Sequence, residues 1–471
     1  MKKFLSDCKD AYPRDTADLL PHLPDVSRRR LLKLLGATGA VGAASSLLAP
    51  LTALAQTTTA TDYKALVCLF MYGGNDGNNL IVPLENAEYG LYQRGRSNLA
   101  LPQANLLPIA PTNTAGIRYG LHPAMTAVSQ LFTAGQAAFI ANAGPLMAPT
   151  TKAQWSARSV PLPEGLFSHS DQQDAWQSAI YDTAGRNGWG GRLMERLVAE
   201  GSANRGYACL SLAGGNLWET GDRSLLAYKL SSSGNFGFDF FDPQGTDPLS
   251  VAISQTLADQ RSHLFHQAWL STVGRSIEVQ KVLTGALNTS TVKTVFPNSG
   301  LGNQLRTVAR LVSARQSLGL PRQVFFVSVG GFDTHGDDQL QRQQQAFGEI
   351  SNAVSAFHQS TVEMGIADKV TLFTASDFGR TFASNGQGSD HGWGNHHFVV
   401  GGAVRGGQLY GRFPNHTLGG PDDTGSGRWI PGVATDQVAA TLGRWFGADP
   451  AMLNDVFPRL TNFSPDLGFM A

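Results

Sequence analysis

The chain has 471 residues, enough to bury a substantial core as one large domain or two. Lys plus Arg and Asp plus Glu are equal at 36 each, and only 15% of residues are charged, which gives neither the basic patch of a nucleic-acid binder nor an acidic solvating tail. Function therefore has to be sought in a site rather than in bulk charge.

The first informative stretch is Ser27-Arg28-Arg29-Arg30-Leu31-Leu32-Lys33, a twin-arginine export motif. A Gly/Ala-rich apolar segment follows it and ends at Ala53-Leu54-Ala55, an A-x-A cleavage pattern. Residues 1–55 are expected to be a signal peptide, and residues 56–471 a single mature domain. Pro50 and the glycines make the segment weak as a membrane anchor, so no stable span is expected after cleavage. Export by the twin-arginine machinery places the mature protein in the periplasm or outside the cell. Cys8 leaves with the leader; Cys68 and Cys209 sit in apolar runs and read as buried thiols rather than a disulfide framework.

In chain order, Ala65 to Met71 is a continuous apolar run, the pattern of a strand buried on both faces. It breaks into Gly73-Gly74-Asn75-Asp76-Gly77, a glycine-rich turn without the spacing of a phosphate loop, whose central acid points to a cation ligand. Residues 85–120 read as irregular. A short helix after Pro123 precedes a second core strand, Ala137 to Ala141. Ser168-His169-Ser170-Asp171 then sits at the start of a helix. Ser168, His169 and Ser170 are candidates for a nucleophile or substrate contact there, with helix capping as the plain alternative. Beyond a helix at 192–200 and a strand at 207–212, residues 214–248 read as a surface excursion that could serve as a lid or docking face, and 249–287 and 303–318 as helices.

The last third carries the densest chemistry. Strand Gln323 to Val329 ends in Gly331-Phe332-Asp333-Thr334-His335-Gly336. A Gln-rich helix from Gln339 to about Glu363 leads to the strand Val370 to Ala375, which ends in Ser376-Asp377-Phe378-Gly379-Arg380. Asp390, His391, His396 and His397 follow within twenty residues, spaced by glycines. Helices at 435–446 and 450–456 close the chain. Asp76, Asp333 and Asp377 each fall just past a strand's carboxyl end, and in a parallel α/β sheet those ends open onto one crevice. Converging carboxylates require a cation, and neighbouring imidazoles favour zinc, manganese or iron over calcium. Asp76, Asp333, His335, Asp377, Asp390, His391 and His396 are accordingly the expected metal set. Arg380 is either an anion holder or the salt-bridge partner of a ligand acid.

Taken together, the twin-arginine leader, GGNDGNN, the segment around His169, GGFDTHGD, SDFGRT and SDHGWGNHHFVVGGAVRGG resemble the exported proteins of domain of unknown function 1501 (DUF1501) over about residues 62–467. That family resembles in turn the alkaline phosphatase and sulfatase superfamily. The resemblance implies an α/β, alkaline phosphatase-like three-layer fold with a central mostly parallel sheet, one or two divalent metals, and metal-dependent hydrolysis of phosphate or sulfate esters, with a small anionic ester or envelope polymer as substrate. Phe378 stands where the superfamily has a histidine, and His391 or His396 could replace that ligand or serve as the superfamily's late histidine. A non-catalytic envelope protein that binds or assembles while keeping the fold is the alternative.

Overall fold

The computed structural model describes residues 62–471 apart from 183–185, 204, 224, 226, 233–240, 243–244, 259–263 and 320. The expected leader lies outside the described residues, as does much of the Phe/Gly-rich excursion. No helix among the described residues is long and apolar enough to cross a membrane.

The fully apolar runs become the central strands, because a strand flanked by strands and covered by helices has no polar face to offer water. In chain order the strands of the main sheet are β1 (Lys64–Met71), then, after three short strands numbered β2 (Ile81–Pro83), β3 (Leu107–Ile109) and β4 (Tyr119–Leu121) that pair among themselves, β5 (Ala137–Gly144), β6 (Cys209–Ser211), β7 (Tyr228–Lys229), β8 (Arg322–Val329), β9 (Val370–Ser376), β10 (Asn395–Gly401), β11 (Leu409–Tyr410) and β12 (Val433–Ala434). The spatial order is β11-β5-β10-β9-β1-β8-β6-β7, with β12 also on β5. β1 pairs in parallel with both β8 and β9. β10 alone runs against its neighbours β9 and β5. Helices cover both faces in an α/β, three-layer, mostly parallel arrangement, as the family resemblance implies.

Side chains alternate along β1: Ala65, Val67, Leu69 and Met71 enter one core, while Leu66, Cys68 and Phe70 enter the other. The first core is closed by the helices Gly300–Ser313 and Gln339–Glu363, through Leu305, Val308, Phe347 and Val354. The second is closed by Trp189–Ala199 and Thr435–Phe446, through Leu193, Leu197, Val438 and Leu442. Cys68 and Cys209 are free, buried thiols.

Residues 85–120 differ from the irregular reading. They hold the helix Asn86–Arg96 and strands β3 and β4. The helix has glycines at 90 and 95 and weak apolar periodicity, so its signal was low; burial of Tyr89, Tyr92 and Arg96 holds it. His396, expected as a loop ligand, lies with His397 inside β10, because the strand begins at Asn395.

Two buried acids link this fold to pH. Burial pushes the Glu219 carboxyl up to about 8 and that of Asp436, which accepts from the Tyr181 hydroxyl, up to about 7. Both folded values lie above the unfolded ones, so the stability these groups contribute is complete below about pH 4 and is lost as pH rises toward 7 or 8. Thermal unfolding followed across that range is expected to show the decline, and Glu219→Gln to remove its share, on the order of a few kcal/mol. A variant with the same pH profile as the parent would contradict this assignment.

Candidate metal centre

Strands β9, β1 and β8 lie side by side, so the loops after Met71, Val329 and Ser376 leave one sheet edge together. Backbone contacts stitch them. Ser376 Oγ donates to Met71 O (2.6 Å) and accepts from Asn75 N (2.8 Å), and Asp377 Oδ1 accepts from Gly73 N at 3.1 Å. Gly73 and Gly74 have φ of +111° and +79°. A Cβ on Gly73 would lie 2.4 Å from Asp333 N and one on Gly74 2.2 Å from the Phe378 ring, so both glycines are needed for the loops to close on one another.

Over this edge His169, Asp333 and His391 converge, with one donor atom from each within 4.8 Å of the others. Asp333 Oδ1 lies 3.5 Å from His169 Nε2, 3.6 Å from His391 Nε2 and 3.0 Å from His335 Nε2, and the His335 and His391 Nε2 atoms are 3.0 Å apart. The opposite nitrogen of every ring is engaged. His169 Nδ1 meets Asp377 Oδ2 at 2.7 Å, His391 Nδ1 meets the Phe167 carbonyl at 2.7 Å, and His335 Nδ1 meets Asp390 Oδ1 at 3.1 Å. A carbonyl or carboxylate oxygen accepts, so each Nδ1 carries the proton and each Nε2 presents a lone pair to the centre. Three lone pairs and a carboxylate oxygen thus face one another. With both rings in the neutral form, the His335 and His391 Nε2 atoms at 3.0 Å would have no hydrogen between them and would repel unless a cation intervenes. Burial, the largest influence on His391, pushes its imidazole below the usual range and so opposes protonation as the remedy.

The rings are held by packing as well. Phe378, fully buried, stacks on His391 at 4.6 Å between centroids and lies 4.8 Å from His169. Gln173, one turn beyond His169, donates to the same Asp377 oxygen at 2.8 Å.

Several expected ligands do other work. Asp377 and Asp390 face histidine Nδ1 atoms and so orient the imidazoles rather than belonging to the central set. Asp76 is turned away: buried, it pairs with Arg96 Nη2 and accepts from Gln339 Nε2 (2.5 Å) and Asn78 Nδ2 (2.9 Å). His396 lies in the core, stacked on Phe413 at 4.6 Å, with Nδ1 accepting from Asn142 N; burial pushes its imidazole down to about 3. Arg380 is no free anion holder. Its buried guanidinium donates to Asp333 Oδ1 (2.9 Å), Gly73 O (3.0 Å) and Ser389 O (2.6 Å). Burial weighs most on Asp333 and raises its carboxyl, but the Arg380 bond and charge outweigh it and hold the group below its ordinary value. Ser168 Oγ and Ser170 Oγ hydrogen-bond to each other at 3.2 Å, and among the described residues no imidazole bonds to either hydroxyl.

Sequence reading missed Phe167, Gln173, Arg96 and Gln339. Only Gln173 left a signal, its four-residue spacing from His169.

The family model described as "Protein of unknown function (DUF1501)" matches residues 63–453. No curated protein sequence matches the chain. Among solved structures it is similar to Ps i-CgsB in complex with k-i-k-neocarrahexaose, at 10% identity and a TM-score of 0.36, covering 86% of this chain and 78% of that one. It is also similar to the PsFucS1 sulfatase from Pseudoalteromonas sp. (10%, TM-score 0.35, 85% and 71% covered). A third similar structure is the lipoteichoic acid synthase LtaP from Listeria monocytogenes (9%, TM-score 0.32, 85% and 77% covered).

Because Arg96 and Asp76 are both buried, removing one charge strands the other. Arg96→Ala is expected to lower stability by about 3–5 kcal/mol, seen as a shifted urea midpoint. A shift of a few tenths would mean that water or Gln339 already neutralises Asp76.

Proposed function

The chain belongs to the DUF1501 family, and for this member we propose metal-dependent hydrolysis of phosphate or sulfate esters, carried out after twin-arginine export in the periplasm or outside the cell. The observation that carries this reading is the inward set of Nε2 lone pairs around Asp333 Oδ1, each imidazole committed by its Nδ1 to another acceptor.

The donor set fits a metal. His169 Nε2 is buried and has no hydrogen-bond partner. Its 3.5 Å separation from Asp333 Oδ1, and the 3.6 Å of His391, match the roughly 3.3–3.5 Å between neighbouring ligands of a tetrahedral ion with bonds of about 2.0–2.2 Å. His169, Asp333 and His391 would hold one ion. Three protein ligands leave an open position, the pattern of a catalytic rather than a structural site. Imidazole with carboxylate suits zinc, manganese or iron. Such an ion supplies Lewis-acid polarisation of the ester and activation of water.

The chain's own residues do the rest. His335, at the exposed side and oriented by Asp390, offers Nε2 as acceptor to an attacking water. Arg380 contributes a fixed positive charge beside the position of the anionic ester, without gripping it. Asp377 and Gln173 hold the His169 ring, and Phe378 braces the faces of His169 and His391. Water is the nucleophile assigned, since Ser168 and Ser170 have no base bonded to them. The substrate is a small anionic ester or an envelope polymer bearing one.

A second reading, a non-catalytic protein that binds or assembles in the envelope, draws on two features. Arg380 already places a cation on Asp333 Oδ1, and Phe378 fills the position where the resemblance has a histidine ligand.

Elemental mass spectrometry of the purified mature protein is expected to find about one equivalent of a transition metal, absent from Asp333→Ala and His391→Ala. Asp377→Asn and Asp390→Asn should weaken metal affinity roughly 10- to 100-fold, as loss of an orienting partner does. On a panel of phosphate and sulfate esters, release of the anion should stop with chelator and return with metal. Folded protein that takes up no metal would refute the reading; metal without turnover would favour the non-catalytic alternative.

A further inference from the structure

Beside the metal centre lies a cleft of about 580 Å³ that the chemistry above does not use. Its lining includes Trp155, Ser156, Arg158, Val160, Leu162 and Leu166. Val160, Leu162, Pro163 and Leu166 supply its apolar wall and Ser156 and Arg158 its polar one, and Arg158 is the one charged residue among those that line it. The floor is firm, because Trp155, Leu162 and Leu166 pack on a small core of Leu146, Trp393 and Ile430, with Trp155 and Trp393 ring centroids 5.3 Å apart.

One residue joins the cleft to the centre. Phe167 follows Leu166 directly; its ring lies 6.3 Å from that of Trp155, and its carbonyl accepts the His391 Nδ1 proton at 2.7 Å. Arg428 rests 5.0 Å above the same ring while donating through Nε to His391 O at 2.8 Å. Phe167 holds this place with φ +73°, a conformation that costs a bulky residue energy and persists only where its surroundings fix it. The next residues, Ser168 and His169, bring the chain to the centre.

We propose that this cleft is the recognition subsite for the non-reacting part of the ester, and that it takes an aromatic group carrying an additional anionic substituent. The proposal rests on the hydrolase reading for its reaction but not for its binding. The flat indole of Trp155 and the aliphatic walls match an aromatic ring. Arg158 supplies a charge-assisted contact for the second anion. An ester reaching from the cleft to the centre passes over Phe167, with Arg428 alongside its charged end. Binding energy gathered in the cleft then holds the reacting group beside the His169–Asp333–His391 set.

The test uses 8-anilinonaphthalene-1-sulfonate, an aromatic anion without a hydrolysable ester, added to the full mature protein with and without metal. Saturable binding at one site is expected. Trp155→Leu and Arg158→Asn should each weaken it about tenfold, the scale of one charge-assisted hydrogen bond or one buried ring contact. Asn suits the left-handed backbone of residue 158, φ +49°, and Leu keeps the small core apolar. Asp333→Ala should abolish metal binding and leave the dye affinity unchanged. Dye affinities within twofold of wild type in both cleft variants overturn the proposal. In a second arm, kcat/KM for 5-sulfo-1-naphthyl phosphate and sulfate, which carry the second anion, is compared with that for the methyl esters. The naphthyl-to-methyl ratio should fall in both cleft variants. An unchanged ratio with intact turnover overturns the subsite alone, whereas dye binding that behaves as expected without any ester turnover overturns the hydrolase reading alone.

Discussion

Everything at the carboxyl edge of the sheet turns on the crowding of like electron pairs. Asp333 Oδ1 and the Nε2 atoms of His335 and His391 stand 3.0–3.6 Å from one another, each imidazole proton committed outward. In water such groups would separate; here the strand ends and the glycine turns forbid it. The repulsion is tolerable only with a positive charge at hand. Arg380 supplies part of that charge from below, and its burial in turn depends on carbonyl acceptors at Gly73 and Ser389. The loops after β1, β8 and β9 are therefore mutually dependent: each supplies an acceptor or a donor that another cannot do without.

A second polar layer supports the first without joining it. Asp76 and Arg96 tie the glycine turn to the segment past Arg380, since Arg96 also donates to the carbonyls of Thr381 and Phe382. A buried ion pair of this kind adds little net stability over an apolar substitute, but breaking it is costly. Its contribution is to fix which turn faces which loop. Asp76 thus reaches the centre at one remove: Gln339, which donates to it, also accepts from Ser389 Oγ, and the Ser389 carbonyl accepts from Arg380.

Much of this was legible in the sequence because the strands are extreme cases. Ala65–Met71 and Gln323–Val329 are apolar at nearly every position, which only a doubly covered strand tolerates, and an acid just beyond such a strand has few places to go. What the sequence could not convey was direction. Asp377 and Asp390 look like ligands by spacing, yet their oxygens meet Nδ1 atoms and leave the centre to the imidazoles; that distinction lies in χ angles, not in order along the chain. His396 misleads for a related reason. It adjoins a histidine-rich loop, but β10 begins one residue earlier, and the alternation of a strand turns its ring into the core against Phe413. Phe167 was invisible because its role is played by a carbonyl, which every residue has. The helix Asn86–Arg96 went unseen because its glycines and charges mask a short buried face.

The placement of β1 has a consequence for how the chain is made. It is the first strand of the described residues, yet it lies in the interior of the sheet, and its partners Arg322–Val329 and Val370–Ser376 come roughly 250 residues or more later. At ribosomal speeds of about 5–20 residues per second, that strand waits on the order of 10 to 50 seconds before its first neighbour exists. Throughout that interval seven of its eight residues, all destined for burial, have no sheet to enter, and both of its edges are open to other chains. The first strand of the described residues is thus among those that wait longest to be safe, and the length of the intervening chain sets the time for which it needs protection from aggregation.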